Sequence, residues 1–292
     1  MSRRPTFDDF LSLPLQPGCI AVWWLGQASF AIRSASETIL IDPFLSRGGK
    51  RRFPPPFGAA LATRIDAILV THEHWDHLDP DTLGVLANNN PDAVAVTPEP
   101  IAGQVEAAGF ASLRIRAARA GDGFRLGDLK VSPIAAKHGV DMDDAYSFGR
   151  ELSGGLVRYL GYVVEIDGVR VYHSGDTILY EGLSDEVRSA GVDLALLPIN
   201  GREPARERQN IVGNLGPEEA VGLAASSGAE ALVPMHYDMF AGNRGSPGLV
   251  LDAAERRRSE LTVVIPSRSR PFVFCPAGPA QPSSAPQRER GR

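Results

Sequence analysis

The stretch Thr71-His72-Glu73-His74-Trp75-Asp76-His77 contains three of the six histidines of this 292-residue chain. It follows the apolar run Asp66-Ala67-Ile68-Leu69-Val70, which is typical of a buried strand. Neutral imidazoles and carboxylates are ligands that borderline divalent ions prefer, and alternating positions can point His72 and His74 in the same direction. A solvated histidine-rich loop is the alternative interpretation, and the density of histidines disfavours it. The stretch therefore predicts a metal site at the end of a strand.

Four further apolar runs are also followed by polar residues. Taken singly, a lone histidine is more often a hydrogen-bonded structural residue, and an aspartate after Ser-Gly fits a turn. Ligands nevertheless often bind where loops follow strand ends, because a rigid frame then carries the polar side chains. The repetition predicts that these residues converge on one edge of a sheet. The runs are 130–136 before His138, 169–172 before His173 and Asp176, 193–198 before Asn200 and Arg202, and 231–234 before His236.

Local patterns predict most of the other elements. Asp167-Gly168 favours a tight hairpin turn with positive φ, and Gly228 is typical of a residue that ends a helix. The glycines and prolines of 46–58 break helices and strands, so this stretch is predicted to be a loop long enough to border a site. The predicted elements are strands at 20–25, 28–33 and 38–41, helices at 80–88 and 98–108 with Thr97 capping the second, a hairpin over 157–173, and a helix over 217–227.

The composition fits a single globular domain. Hydrophobic residues make up 43% and charged residues 22% of the chain, which excludes a wholly disordered or fibrous protein. The formal net charge of −5 argues against a protein that mainly binds nucleic acid. We assign 1–19 to an N-terminal segment with a disordered start, 20–275 to the folded domain, and 276–292 to a disordered proline-rich tail.

The cysteine content favours a reducing compartment. Cys19 and Cys275 are too few for a disulfide framework or a thiolate zinc cluster. No apolar run approaches the roughly 18–20 residues that span a bilayer. The Arg3-Arg4 pair is reminiscent of a twin-arginine export signal, but acidic residues follow where an apolar stretch should begin. We therefore expect a cytoplasmic protein with no membrane partner.

The order of the candidate ligands resembles the metallo-β-lactamase fold superfamily. The pattern is His-x-His-x-Asp-His, then a histidine, then an aspartate in Ser-Gly-Asp-Thr, then a late histidine, and the resemblance runs from about Ala21 to Phe274. Within the superfamily, the chain is similar to the L-ascorbate-6-phosphate lactonase-like (UlaG-like) subgroup and, more distantly, to the N-acyl-phosphatidylethanolamine phospholipase D type. The stretches that carry the similarity are 24–30, 41–43, 71–74, 76–79, 174–177, 198–202 and 234–237.

The resemblance implies an α/β fold, an αββα sandwich of two mixed sheets flanked by helices, with two divalent metal ions, Zn²⁺ or Mn²⁺, at one edge. It implies that His72, His74 and His138 hold the first ion, that Asp76, His77 and His236 hold the second, and that Asp176 bridges both. His173 matches no ligand position, so we interpret it as structural. Asp42 and Asp79 are candidates for hydrogen bonds to ligand imidazoles, and turn or cap roles are equally open for them.

The activity that the resemblance implies is metal-dependent hydrolysis. Two ions can share a hydroxide that attacks a carbonyl carbon or a phosphorus, while Asp76 orients it or passes its proton on and His236 completes the catalytic pair. The expected substrate is a small anionic ester or lactone, with a sugar-phosphate lactone as one candidate. A phosphodiesterase of the phospholipase D type is the alternative. A non-catalytic metal-binding protein is a third reading, disfavoured because every expected ligand residue is present.

The substrate side is predicted from loops near the same edge. Asn200 and Arg202, in an Asn-Gly-Arg turn, are the predicted substrate-binding residues, since arginine forks suit phosphate or carboxylate. Asn243 and Arg244 lie on a later loop of that edge, whereas Arg206 and Arg208 are interpreted as solvated surface. The expected partner is a small anionic molecule, without nucleic acid, and homo-oligomers are common among such enzymes. Aromatic residues that could wall a pocket or belong to the core are Phe53, Phe57, Trp75, Tyr237 and Phe240.

Overall fold

Two seven-stranded mixed sheets form the frame of the protein. The computed structural model describes residues 4–48, 50–150 and 156–277. In chain order the strands are β1 (Ile20–Gly26), β2 (Ser29–Arg33), β3 (Thr38–Ile41), β4 (Ala67–Leu69), β5 (Val94–Pro98), β6 (Ile115–Ala118), β7 (Phe124–Leu126), β8 (Leu129–Ala135), β9 (Leu160–Ile166), β10 (Val169–His173), β11 (Leu194–Pro198), β12 (Ala231–Met235), β13 (Thr262–Val263) and β14 (Phe272–Phe274). The first sheet has the order β14-β1-β2-β3-β4-β5-β6, and the second has the order β13-β12-β11-β10-β9-β8-β7.

Helices cover the outer faces of both sheets. The α-helices are α1 (Phe7–Leu11), α2 (Pro80–Asn89), α3 (Ala102–Ala107), α4 (Leu183–Ser189), α5 (Pro204–Glu207), α6 (Pro217–Ser227) and α7 (Pro247–Arg256). Along β1, Val22 and Trp24 join the core that both sheets share, whereas Ala21 and Trp23 join a second core with α1, α2 and α3. This alternation follows from the two-residue period of a strand. Because α4, α6 and α7 pack on the second sheet, the predicted αββα sandwich is confirmed.

Strand direction decides where polar residues gather. In the second sheet β9 is antiparallel to both β8 and β10, while β10, β11 and β12 are mutually parallel. The strands β8, β10, β11 and β12 therefore all run the same way, and the loops after them emerge at one edge. The polar residues that follow these four strands in the sequence are thus brought to the same edge of the sandwich.

Most of the locally predicted elements are confirmed. The hairpin of β9 and β10 turns at Asp167 and Gly168, which have φ values of 50° and 80°. The helix predicted over 217–227 is α6, and Gly228 ends it with a left-handed φ of 81°. The cap predicted at Thr97 is wrong, because Thr97 and Pro98 are the last residues of β5 and a 3₁₀ turn starts at Glu99.

The N-terminal segment contains a helix where a disordered start was predicted. Thr6 caps α1 through a reciprocal pair of hydrogen bonds with Asp9. Phe7 and Phe10 are buried, and Phe10 packs against Trp23 at a ring-centroid distance of 5.8 Å. The aromatic contacts therefore hold this segment on the first sheet. The predicted disordered tail lies, from residue 278 onward, outside the described residues.

Cys19 and Cys275 form a disulfide bond. The antiparallel ladder pairs Ile20 with Phe274, which places the two cysteines opposite each other just beyond the paired residues. We expected a reducing compartment because two cysteines are too few for a disulfide framework. The pairing removes that argument, since disulfides persist in oxidising compartments and are rare in the cytosol.

None of the helices in the described ranges combines the length and the apolar character needed to cross a bilayer.

Candidate metal centre

The first group of candidate ligands lies beyond the ends of β4, β8 and β10. His72, His74, His138 and Asp176 each offer one ligand atom, and these atoms all lie within 4.8 Å of one another. The Nδ1 atom of His74 is 3.0 Å from Nε2 of His72 and 3.3 Å from Nε2 of His138. Two ligands on one tetrahedral ion are about 3.4 Å apart, given metal–nitrogen bonds of about 2.1 Å. The group therefore has the spacing of a metal site.

A second group contains Asp76, His77 and His236, again within 4.8 Å of one another. Asp176, a member of the first group, also lies close to the second. Its Oδ1 is 3.6 Å from Nε2 of His77, and its Oδ2 is 3.1 Å from Nε2 of His236 and 3.6 Å from Nε2 of His138. The structure thus brings all seven predicted ligand residues together, with Asp176 adjacent to both groups.

Hydrogen bonds leave ring nitrogens of the cluster free to face an ion. Nε2 of His74 lies 3.1 Å from the carbonyl oxygen of Val140, which leaves Nδ1 toward the cluster. Nδ1 of His77 lies 2.6 Å from Oδ2 of Asp42, and its buried Nε2 has no hydrogen-bond partner among the described residues. Oδ1 of Asp176 is likewise buried without a partner there. Because an unpaired buried polar atom is costly, these atoms fit a bound cation.

The charges of the cluster also favour a cation. Burial lowers the pKa of His77, but the charges of Asp176, Asp42 and Asp76 outweigh burial and raise the pKa to about 10. Burial, and next the charge of His77, lowers the pKa of His72 well below its usual range. Three carboxylates around a buried imidazole thus stabilise positive charge at this position, and a divalent ion would supply such charge.

Asp42 supports the cluster from behind. Its Oδ2 accepts hydrogen bonds from Nδ1 of His77 and from the Thr71 hydroxyl at 2.6 Å each, and its Oδ1 accepts one from the Thr71 amide at 2.7 Å. The Thr71 hydroxyl oxygen is in turn 3.0 Å from Nδ1 of His72. Asp42 itself has a left-handed φ of 45°. Of the two roles left open for Asp42, the structure shows the hydrogen bond to an imidazole of the candidate ligand set, that of His77.

Asp79 has the other role. Its side chain caps α2 by accepting hydrogen bonds from the amide and the hydroxyl of Thr82, and it also accepts one from the amide of Ser46. No described imidazole bonds to it. Asp79 therefore fixes the start of α2 and the loop at Ser46, and the cap interpretation applies.

His173 is buried beside the cluster and belongs to neither group. Its Nε2 donates to the carbonyl oxygen of Ala28 at 2.7 Å, and its Nδ1 accepts a hydrogen bond from the amide of Gly175 at 3.1 Å. Since both ring nitrogens are occupied, His173 ties β10 to the turn between β1 and β2, as expected for a structural histidine.

A cavity of about 510 Å³ opens onto the cluster. One wall consists of side chains from the two ligand groups, and the other comes from the loops at 209–212 and 240–243. Trp75 and Phe240 lie 5.2 Å apart between ring centroids and give the cavity an aromatic border. The residues that line it are Lys50, His74, Trp75, Asp76, His138, Val140, Asp176, Gln209, Asn210, Ile211, Val212, His236, Phe240, Ala241, Gly242 and Asn243.

The predicted substrate residues do not line this cavity. Asn200 is buried, and Arg202 pairs with Glu219 at 2.5 Å and donates to the carbonyl oxygen of Asn214. Both border a neighbouring cavity of about 630 Å³. Asn200 contacts a lining residue of the cavity at the cluster, because its Nδ2 donates a 2.9 Å hydrogen bond to Oδ1 of Asn243.

Two other sequence interpretations of this region are also settled by burial. Arg206 is only 8% exposed, so its interpretation as solvated surface is wrong, whereas Arg208 is exposed as expected. Trp75 and Phe240 line the cavity, whereas Phe57 packs on Trp23 in the core. Arginine burial depends on acceptors that come from several loops, which no local pattern reveals.

Sequence reasoning missed Gln27, which is fully buried. Its Nε2 donates to Oδ2 of Asp76 at 2.8 Å and lies 2.7 Å from Nε2 of His236. The left-handed φ of 55° at Gln27 turns the chain from β1 into β2 and brings the side chain to the second group. The signal that could have found it is its place in the stretch 24–30, which carried part of the resemblance.

Comparisons with known proteins agree with this geometry. A family model described as a beta-lactamase superfamily domain matches residues 37–237. A UPF0173 metal-dependent hydrolase of Myxococcus xanthus is 31% identical over 251 residues, covering 85% of this chain and 81% of the relative. One from Pelotomaculum thermopropionicum is 31% identical over 255 residues, covering 85% and 98%.

Solved structures show the same fold at lower identity. Igni18, a metallo hydrolase from Ignicoccus hospitalis, has a TM-score of 0.63 at 22% identity and covers 88% of this chain and 98% of its own. An isothiocyanate hydrolase from Delia radicum gut bacteria has a TM-score of 0.67 at 17% identity, covering 87% and 99%. With its seven clustered candidate ligand residues and these relatives, the chain belongs to the metallo-β-lactamase superfamily and is one of its metal-dependent hydrolases.

Proposed function

We propose that the protein hydrolyses a small ester or lactone at this centre with the help of two divalent ions, Zn²⁺ or Mn²⁺. The observation that carries the proposal is the convergence of both ligand groups on one wall of a cavity. The first ion would be held by His72, His74 and His138, the second by Asp76, His77 and His236, with Asp176 shared between them.

The chemistry of the donor atoms supports such ions. Imidazole and carboxylate ligands without thiolates suit Zn²⁺ and Mn²⁺ alike. When bound, two such ions supply an activated water near neutral pH and stabilise negative charge on the substrate oxygen. The unpaired Nε2 of His77 and Oδ1 of Asp176 are the atoms that most need them.

Asp76 is the residue best placed to handle protons. It borders the cavity, and the amide of Gln27 holds its Oδ2, which lies 3.8 Å from Nε2 of His236. A carboxylate fixed in this way can orient a water molecule and receive its proton for transfer to the leaving group. Asp76 and His236 are therefore the proposed catalytic residues.

The cavity supports a substrate with an apolar portion. Trp75, Phe240 and Val212 provide apolar surface, and Lys50 provides a basic side chain. A small ester or lactone with a single anionic group fits these walls better than a heavily charged sugar phosphate. Arg202, engaged with Glu219 beside a different cavity, leaves Lys50 as the lining residue suited to that anionic group.

Elemental analysis of the purified protein, together with turnover assays, tests the proposal. We expect about two metal ions per chain and hydrolysis of simple lactones or esters after addition of Zn²⁺ or Mn²⁺. Faster turnover of bis(p-nitrophenyl) phosphate than of any lactone would favour the phosphodiesterase alternative. A fully metallated protein that hydrolyses none of these compounds would contradict the proposal and favour a non-catalytic role.

A further inference from the structure

Arg206 is a buried residue behind the loop wall of the cavity, which is the wall formed by residues 209–212 and 240–243. Its guanidinium donates to the carbonyl oxygen of Asn200 at 2.8 Å, to Oδ1 of Asn243 at 2.9 Å, and to Oε1 of Glu203 at 2.7 Å. It also donates to the carbonyl oxygen of Arg244 at 3.3 Å. These bonds join α5 to the loop that carries Asn243. Because the guanidinium is planar and rigid, its partners are held in fixed directions.

The contact with Arg206 determines how the Asn243 amide is oriented. A guanidinium can only donate hydrogen bonds, so the atom of Asn243 that faces it must be the oxygen. The same oxygen accepts a second hydrogen bond from Nδ2 of Asn200, whose own Oδ1 accepts one from Asn214. The orientation therefore does not depend on an arbitrary choice between amide nitrogen and oxygen.

The NH₂ group of Asn243 is a donor without a described acceptor, on a residue that lines the cavity. Asn243 lines the cavity together with His138, Asp176 and His236, and no described residue accepts a hydrogen bond from its Nδ2. The other side-chain atom, Oδ1, is fully used in holding the residue in place. An available donor in a cavity that also contains the reactive centre is suited to a substrate oxygen.

The backbone keeps this donor in place. The amide of Asn243 donates to the carbonyl oxygen of Phe240, and the amide of Gly245 donates to that of Tyr237. Gly245 lies so close to the end of β11 that an added Cβ would be 2.4 Å from the carbonyl oxygen of Ile199. The chain therefore packs closely against the sheet at Gly245, which limits how far the segment with Asn243 can shift and favours a preorganised donor.

We infer that Asn243 is a substrate-binding residue whose side-chain amide donates a hydrogen bond to a carbonyl or phosphoryl oxygen of the substrate, and that Arg206 is the residue that positions it. The inference rests on the proposed function, because it names a further contact in the same cavity. It replaces Arg202 by Asn243 as the loop residue that meets the substrate, with a neutral donor in place of a cation.

Two substitutions of Asn243 test the NH₂ donor separately from the oxygen that accepts hydrogen bonds. N243D keeps an acceptor for Arg206 and Asn200 but removes the NH₂ group, whereas N243A removes the donor without adding charge. In the metal-loaded protein we expect both to lower kcat/KM for a neutral lactone between about tenfold and a hundredfold, the range for a hydrogen bond to a developing charge. Metal content and thermal unfolding of N243D should match the wild type. N89D, the same change at the exposed end of α2, is the control.

Arg206 is tested by its coupling to Asn243. If Arg206 acts through Asn243, the double variant R206M/N243A should lose no more kcat/KM than the more impaired single variant. Additive losses in the two single variants would overturn the positioning role. A general structural effect of R206M would lower activity independently of residue 243, so this readout distinguishes the two explanations.

Calorimetric titration with inorganic phosphate keeps the inference testable without turnover. We expect the wild-type, metal-loaded protein to bind phosphate, and both Asn243 variants to bind it at least about tenfold more weakly. Equal affinities, or equal kcat/KM values, in the wild type and both variants would overturn the inference and leave the proposed hydrolysis intact. A wild type that neither hydrolyses esters nor binds phosphate would overturn both.

Discussion

The cavity has two walls that are built in different ways. The ligand wall consists of His74, Asp76, His138, Asp176 and His236, and the loop wall consists of residues 209–212 and 240–243. Each side chain of the ligand wall follows a strand end, and each is a histidine or an aspartate, a residue type that commonly binds metals. The loop wall is made of ordinary residues whose role arises from what lies behind them, above all the buried Arg206.

The difference shows that residue type alone predicts the chemistry of the ligand wall, whereas the chemistry of the loop wall depends on hydrogen bonds with neighbouring residues. A histidine near two other histidines and an aspartate has few roles other than binding a metal. An asparagine on a loop has many, and only its contacts with Arg206 and Asn200 show which end of its amide is free. Substitutions in the two walls should therefore differ in kind as well as in size.

The largest effect is expected in the ligand wall. H74A and D176A each remove a candidate ligand from a group whose atoms lie within 4.8 Å of one another. We expect each to lower kcat by about a thousandfold or more, because the activated nucleophile and the charge stabilisation depend on the ions. Elemental analysis should show fewer ions per chain, while circular dichroism remains close to the wild type. Unchanged turnover in either variant at verified metal content would contradict the two-metal assignment.

A change outside both walls should affect stability alone. The disulfide joins Cys19, just before β1, to Cys275, just after β14, across a sequence separation of 256 residues. Neither cysteine lines the cavity. We expect C275S to lower the free energy of unfolding by about 2–4 kcal/mol, since the bond restricts the unfolded chain. Urea denaturation measures this change, and kcat/KM should be preserved.

Wild-type protein treated with a reductant is the matched comparison for C275S. It should unfold at the same urea concentration as the variant, because the two then lack the same bond. A wild type whose unfolding midpoint is insensitive to reductant would show that the bond does not form in solution.

The sequence was most informative where a local pattern implies a local structure. Asp167-Gly168 predicted a hairpin and Gly228 a helix end, because few residues adopt positive φ without strain. The ligand wall was predictable for a similar reason, since its residue types and their order after strands have few alternatives. The αββα fold followed from the resemblance that this order carries.

The misses at the cysteine pair and at Arg206 share a dependence on contacts between distant segments. Cys19 and Cys275 meet only because β1 pairs with β14. Arg206 is buried only because Asn200 and residues 243–244 supply acceptors from other loops. Such effects depend on three-dimensional neighbours, and no spacing along the chain encodes them. The loop wall was thus the part that required the structure.

Asp42 and Asp79 sharpen the comparison, because the sequence left the same two roles open for both. D42N should weaken metal binding by about 10- to 100-fold, since an NH₂ donor replaces Oδ2, the atom that accepts hydrogen bonds from the Thr71 hydroxyl and from Nδ1 of His77. Asparagine tolerates the left-handed φ of 45° at this position, so the backbone should be kept. Competition with a chelator measures the affinity, and wild-type affinity in D42N would show that the imidazole needs no carboxylate behind it.

D79A should give the smallest effect and the opposite profile. Its carboxylate caps α2 and bonds to no described imidazole, so the expected loss is about 1 kcal/mol of the free energy of unfolding. Metal affinity measured by the same competition should stay at the wild-type value. If D79A lost metal affinity as strongly as D42N, the cap would have to transmit its effect to the ligands through Ser46 and the start of α2. The ligand wall would then depend on its surroundings as much as the loop wall does, and the contrast between the two walls would disappear.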